Sequence, residues 1–276
     1  MSNYKQLNMN MLALAKADRF SDVEALINEG AEITTVDKDG LTIFNFAVKY
    51  SRANFFDNYI ERISVNDVSS TSVHQMLIDA VLTSQSAYLV RRLFNTFSGL
   101  DANVSTKDYP SLLAYAAQEN LDQIANNLIN NGANVDTPDK SGNTPAMYAA
   151  KAANLDLLTK LLGKGANVHA CNSNNDNLLT FAAQNTKDDV DIVEVALNKG
   201  LDINKKNKQG FTALKCAIQN GNLGIARYLI IEESKIAEEN IPHEKAINKR
   251  ILSIAKSNGH TEILHKMTGP IPAFQA

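Results

Sequence analysis

Tryptophan is absent, and cysteine appears only as Cys171 and Cys216 in a chain of 276 residues. Two thiols cannot staple a fold of this length, so stability has to come from packing, and the reading is of an intracellular, cytoplasmic protein in a reducing compartment. No segment approaches the roughly 18 consecutive apolar residues that a membrane span requires. Residues 1–10 are polar, with Lys5 as their single cation and no signal-type apolar run behind them. Neither a membrane partner nor export by a classical signal is expected. A surplus of cations is also missing: 27 Lys and Arg stand against 30 Asp and Glu, a formal net charge of −3 spread along the whole chain. Without a broad positive field there is little to hold a phosphate backbone, so nucleic acid is not expected as a partner. What is present, 44% apolar and 21% charged residues, is the mixture of a folded chain. At this length it forms either two domains or one elongated repeat array.

Self-comparison favours the array. Short Ala-bearing helical patches, each followed by apolar residues and then Gly, recur with anchors at Leu14, Ala47, Ala80, Ala116, Ala149, Ala182, Ala217 and Ala255. Their spacings are 33, 33, 36, 33, 33, 35 and 38 residues. The clearest copy runs from Asp139 to Cys171. Thr144 can accept a hydrogen bond from a free amide at a helix start, and Pro145 suits the first helical position, where its missing N–H has no partner to lose. Small Ala149 and Ala150 allow close approach of a neighbouring helix. Leu157, Leu158, Leu161 and Leu162 form the apolar face of a second helix, and Gly165 stops it by taking a left-handed conformation. Thr42, Thr212 and Ser111 repeat the cap, Gly40 and Gly210 mark the turn before it, and Gly30, Gly132 and Gly200 repeat the stop. A single pair would leave its apolar side in water, so each pair must stack on the next.

Gly-x-Thr-Pro, Ala-Ala, a Leu-rich second helix and Gly-Ala-Asn-Val in a period of 33 resemble the ankyrin repeat. Gly30-Ala-Glu-Ile, Gly132-Ala-Asn-Val, Gly165-Ala-Asn-Val and Gly200-Leu-Asp-Ile echo one family motif, and Asn258-Gly259-His260-Thr261-Glu262-Ile263 another. The resemblance implies an all-α solenoid of about eight helix-turn-helix units with β-turn tips and degenerate terminal caps. It spans residues 11–267 as one elongated domain, between a polar segment at 1–10 and an extended tail at 268–276. The family's His after Thr-Pro-Leu is replaced by Asn45, Ala114, Met147, Thr180 and Lys215, which implies loss of the Thr-to-His hydrogen bonding. The unit near 67–106, around Ala80, is degenerate: it lacks the turn Gly and the Thr, and carries about three extra residues before Gly99. The stretch 232–250 reads as the approach to a polar-faced cap.

Catalytic and metal signatures do not emerge. His260 and His265 lie five apart with Glu262 between, which splays them on a helix, and the other histidines, His74, His169 and His243, are isolated. Cys171 reads as a loop residue and Cys216 as a packed one, neither with the surroundings of a nucleophile. Gly163-Lys164-Gly165 lacks the rest of a phosphate loop and reads as a helix terminus. Arg91-Arg92 reads as solvated helix charge. No cofactor or metal is expected.

The resemblance therefore implies binding of another protein by a chain that is monomeric on its own. Family practice places the contact on turn tips and on exposed first-helix positions, which together line a groove. Carried over, the tips are Lys38, Asp39 and Leu41; Lys107 and Asp108; Lys140, Ser141 and Asn143; Ser173, Asn174 and Asp176; and Lys208, Gln209 and Phe211. The first-helix positions are Lys49 and Tyr50, Gln118 and Glu119, Lys151, Gln184 and Asn185, and Gln219 and Asn220. Leu41, Phe211 and Tyr50 are either exposed anchors or side chains folded back on their own repeat. A secreted bacterial or viral effector capturing a protein in the host cytosol is a narrower alternative, since its Asn content and degenerate repeats resemble those of such ankyrin proteins. An enzyme with a site in the divergent segment 64–106 is the opposing one.

Overall fold

The computed structural model describes residues 2–236 and 244–257. The expected final repeat beyond residue 257, with His260 and His265, and the tail at 268–276 lie outside the described residues, as does His243. Those described are all-α: fifteen helices, one 3₁₀ turn and no strand, with a single isolated bridge between Cys171 and Asn177. Contacts divide the chain into two compact units, residues 1–137 and 138–276.

The N-terminal unit holds four helix pairs: α1 (Ser2–Lys16) with α2 (Phe20–Asn28), α3 (Ile43–Lys49) with α4 (Ala53–Ile60), α5 (Ser70–Leu82) with α6 (Ala87–Thr96), and α7 (Leu112–Gln118) with α8 (Asp122–Asn130). The polar residues 2–10 are the first part of α1 rather than a segment ahead of the helices. The C-terminal unit holds α9 (Pro145–Lys151) with α10 (Leu155–Gly163), α11 (Leu178–Ala182) with α12 (Val190–Asn198), α13 (Ala213–Asn220) with α14 (Leu223–Ile236), and then α15 (Glu244–Ser257). In each unit the first helices pack in series, α1 on α3 on α5 on α7, and α9 on α11 on α13 on α15.

The small anchors explain that series. Ala47, Ala80, Ala116, Ala149, Ala182, Ala217 and Ala255 are all fully buried, because a methyl is what fits where one first helix lies against the next. The first repeat departs from the expected register: Leu14 is half-buried, and Ala15, one residue on, is the buried position. Outside the helix seams the larger side chains fill the space, Phe44 and Phe56 edge-to-face with centroids 5.8 Å apart. Burying side chains of this size contributes roughly 1.5–3 kcal/mol each.

Caps fix where helices begin. Thr144, Ser111, Asn177 and Thr212 each accept the amide of the residue three further on, and Pro145 takes the first helical position. The step from the end of a second helix to the next cap is fourteen residues in four places, Asn28 to Thr42, Asn130 to Thr144, Gly163 to Asn177 and Asn198 to Thr212. The divergent repeat breaks this rule physically. From Ile60 to its cap Ser69 is only nine residues, and α5 has grown to 13, so helix stands where the loop would be.

The side-chain bonding expected to vanish with the family's His is retained in two repeats. The Asn45 carboxamide, 1% exposed, accepts from the Thr42 N–H (2.9 Å), the Thr42 hydroxyl (3.1 Å) and the Ser72 hydroxyl (2.6 Å), and donates to the Ser72 carbonyl (2.8 Å). Thr180 and Asn177 form a reciprocal cap, the Thr180 amide and hydroxyl donating to Asn177 Oδ1 and the Asn177 amide to the Thr180 hydroxyl. Asn45 therefore joins two successive first helices, and Asn45→Leu strands several buried polar groups together. We expect a loss of about 2–4 kcal/mol in urea unfolding; an unshifted midpoint would show the network to be dispensable.

Candidate functional site

Each tip is built by one residue that lies five positions before a first-helix cap. Asp37, Asp139, Asn172 and Asn207 all do the same work: the side-chain Oδ1 accepts the amides two and four residues on, at 2.8–3.0 Å. The amide of the same residue closes the loop onto the carbonyl four further on. This is the local alternative that Asp and Asn offer to regular structure. Thr106 holds the corresponding place before Ser111, its hydroxyl accepting the Tyr109 amide at 3.0 Å. None of these residues was singled out from the sequence, although their fixed distance from the cap was there to be seen.

In the C-terminal unit three tips are also tied to each other. The Ser173 N–H donates to the Ser141 carbonyl and the Lys208 N–H to the Asn174 carbonyl, both at 2.9 Å. Side chains double the link: Asn172 donates to Asn143 Oδ1 (2.8 Å), and Asn207 to Asp176 Oδ1 (2.8 Å). Gly142 is required at this approach, since its φ is +83° and a Cβ would stand 3.1 Å from both Asn172 Cα and Ser173 N. The result is a rail of tips, 139–143, 172–176 and 207–211, whose polar groups are largely satisfied from within.

The sequence-derived site residues fall into three groups against this frame. Lys38, Asp39, Lys49, Lys107, Asp108, Gln118, Glu119, Lys140, Ser141, Lys151, Ser173, Lys208, Gln209 and Asn220 are exposed. Leu41, Tyr50, Asn143, Asn174, Gln184, Phe211 and Gln219 are half-buried. The Tyr50 hydroxyl donates to the Lys16 carbonyl at 2.9 Å, and the Lys215 ammonium sits 3.7 Å from the centroid of the Phe211 ring. Asp176 and Asn185, at 9% and 2% exposure, are corrections to the expected surface. Asp176 accepts from Asn174 and Asn207, and Asn185 braces the loop before α12 by accepting the Lys187 and Asp189 amides. Their side chains are spent on the fold.

Arg92 and Cys216 are occupied in a similar way. Arg92, expected to be solvated, pairs with Asp57 and Glu61, both at 2.8 Å. Burial pushes the Cys216 thiol above its usual range, against a hydrogen bond from Gln184, while Cys171 is exposed with Lys205 Nζ 2.7 Å from its sulfur. Among the described residues no group of three or more His, Cys, Asp or Glu converges, and no helix is long and apolar enough to cross a membrane.

Asp139 shows how tightly a tip is held. Burial pushes its carboxyl up, but hydrogen bonds from the Tyr148 hydroxyl and from the Asn143 and Ser141 amides outweigh that and hold it below the ordinary 3.8. A depressed carboxylate contributes stability that is fully present above the unfolded value and is lost as pH falls through the folded one. Tyr148→Phe removes one donor and keeps the ring against Phe181. Acid unfolding followed by circular dichroism is expected to move to higher pH; an unchanged acid midpoint would show that the hydroxyl does not hold the carboxylate.

The comparisons with known proteins agree with this geometry. A family model described as ankyrin repeats in three copies matches residues 77–172 and 146–240, more than half of the chain. A putative palmitoyltransferase, ZDHHC13, from Danio rerio is 26% identical over 86% of the chain and 37% of its own length. Ankyrin repeat protein OPG189 of Variola virus is 24% identical over 71% of the chain and 37% of its own length, and putative ankyrin repeat protein R664 of Acanthamoeba polyphaga mimivirus is 32% identical over 30% and 54%. The chain thus spans little more than a third of the zebrafish protein, and 6% of an ankyrin repeat and KH domain-containing protein of Caenorhabditis briggsae. With matched repeats over most of its length, paired helices stacked in order and hydrogen-bonded tips between them, the chain belongs to the ankyrin-repeat family.

Proposed function

We propose that this chain is a protein-interaction module that docks its partner on the tips and the exposed ends of the first helices. The ankyrin architecture itself implies protein–protein interaction. The observation that carries the placement is the rail of the C-terminal unit: backbone hydrogen bonds from tip to tip fix Ser141, Ser173, Lys208 and Gln209 in a row with their side chains exposed. A backbone already ordered loses little entropy on binding, which is what a docking surface needs. Half-burial of Leu41, Tyr50 and Phe211 moves the emphasis away from apolar anchors and toward this polar row, with Lys151 and Gln184 beside it on the first helices. Two uncrosslinked cysteines support action inside a cell.

The viral relatives, Variola OPG189 and a Fowlpox virus protein, favour a second reading in which the partner belongs to a host cell. Finding the chain in host cytosol during infection supports that version, and confinement to the producing cell counts against it. The palmitoyltransferase named among the relatives has nearly two thirds of its length outside the match, so the match supplies no reason to assign its activity here. In the segment 64–106, His74 lies half-buried on α5.

Ser141→Glu with Ser173→Glu places bulk and negative charge on the rail without touching its backbone bonds. Affinity capture from lysate, quantified by mass spectrometry, is expected to lose its specific partner while the thermal midpoint stays within about 2 °C of the parent. Retention of every specific partner by the double variant would place the contact elsewhere.

A further inference from the structure

Charge in the C-terminal unit is sorted by element, although the whole chain is close to neutral. The tips and first helices, residues 138–152, 171–184 and 205–220, carry Lys140, Lys151, Lys205, Lys206, Lys208 and Lys215 against two carboxylates, Asp139 and Asp176. Second helices α10, α12 and α14 reverse the balance, with five carboxylates to three cations.

The two carboxylates on the tip side are turned inward. Asp139 is surrounded by the Tyr148 hydroxyl, the Asn143 carboxamide and two backbone amides. Asp176 is buried and bonded to Asn174 and Asn207. Acidic groups therefore serve as internal acceptors of the rail, whereas Lys151, Lys206 and Lys208 are exposed and meet no carboxylate among the described residues. The device that stiffens the tips also strips their outer surface of negative charge.

Resting on the docking reading above, we infer that the tip side of the C-terminal unit takes an acidic polypeptide segment, its carboxylates meeting the unpaired lysines along the rail. Carboxylate fits this face better than nucleic acid does. No arginine stands on it, the side chain whose fork matches phosphate. Its aromatic rings, Tyr148, Phe181 and Phe211, are buried or half-buried rather than offered to bases. Exposed Ser141, Ser173 and Gln209 between the lysines supply hydrogen-bond donors suited to carboxylate and peptide carbonyl alike.

The test uses the full chain and fluorescence anisotropy with a labelled peptide of alternating Glu and Gly, compared with a Lys-Gly peptide and a single-stranded oligothymidylate. The Glu peptide is expected to bind with an affinity that falls as salt is added. Lys206→Glu with Lys208→Glu should weaken it about tenfold or more, while Lys164→Glu with Lys199→Glu, the same change in net charge at the ends of α10 and α12, moves it less than about twofold. Should the first pair fail to fold, Lys206→Gln with Lys208→Gln serves, with a loss of about threefold or more expected. Equal loss in both pairs, no measurable binding of the Glu peptide, or tighter binding of the oligothymidylate overturns the inference. Partner capture by the Ser141 and Ser173 variants judges the docking reading separately, so a lost partner alongside an ignored Glu peptide removes the acidic preference and keeps the surface.

Discussion

A helix pair of this size cannot hide its own apolar side, and everything else in the structure follows from that. The remedy is a neighbour at close range, which explains why the first-helix seams are lined by methyl groups from Ala47 through Ala217 rather than by larger side chains. Within the C-terminal unit, close stacking brings each inter-helix loop beside the next. The loops must then satisfy their own backbone groups in a confined space, since a buried amide without a partner is costly. Asp37, Asp139, Asn172 and Asn207 answer that demand with a single oxygen each, shared by two amides.

Solving the backbone problem creates the surface. In the C-terminal unit the loops are close enough to exchange hydrogen bonds, and residues that look decorative in a repeat alignment become cross-links between turns, Asn143 to Asn172, Asn174 to Gln209 and Asp176 to Asn207. Their cost is recognition capacity: a carboxamide already bonded on both sides has little left to offer a visitor. What remains for binding is the set of side chains outside the cross-links, mainly lysines and serines.

Much of this was legible in advance. Thr144-Pro145 marked a helix start and Gly165 a helix stop because both act locally, through one cap and one left-handed residue. The anchors were legible because burial repeats with the period. They were right except in the first repeat, where Ala15 rather than Leu14 is the buried position. Asp176 and Asn185 were misplaced for a different reason. Position within a repeat tells which direction a side chain leaves the backbone, but a hydrogen bond to the next repeat decides whether it stays there, and the partners, Asn207 for one and the Asp189 amide for the other, lie outside the motif. Asn45 is the converse case, a departure from the family pattern whose replacement chemistry was visible only once Ser72 stood beside it.

The short linker ahead of α5 has an implication for how the N-terminal unit can be read by anything that touches it. With only nine residues from Ile60 to Ser69 and a lengthened helix behind them, the third repeat compresses the loop into the 3₁₀ turn Val65–Asp67, where the Ser64 hydroxyl accepts the Asn66 amide and Asp67 accepts the Ser64 amide. The N-terminal unit therefore spaces its turns unevenly, where its C-terminal counterpart sets three at one spacing from the helix before each and ties each to the next.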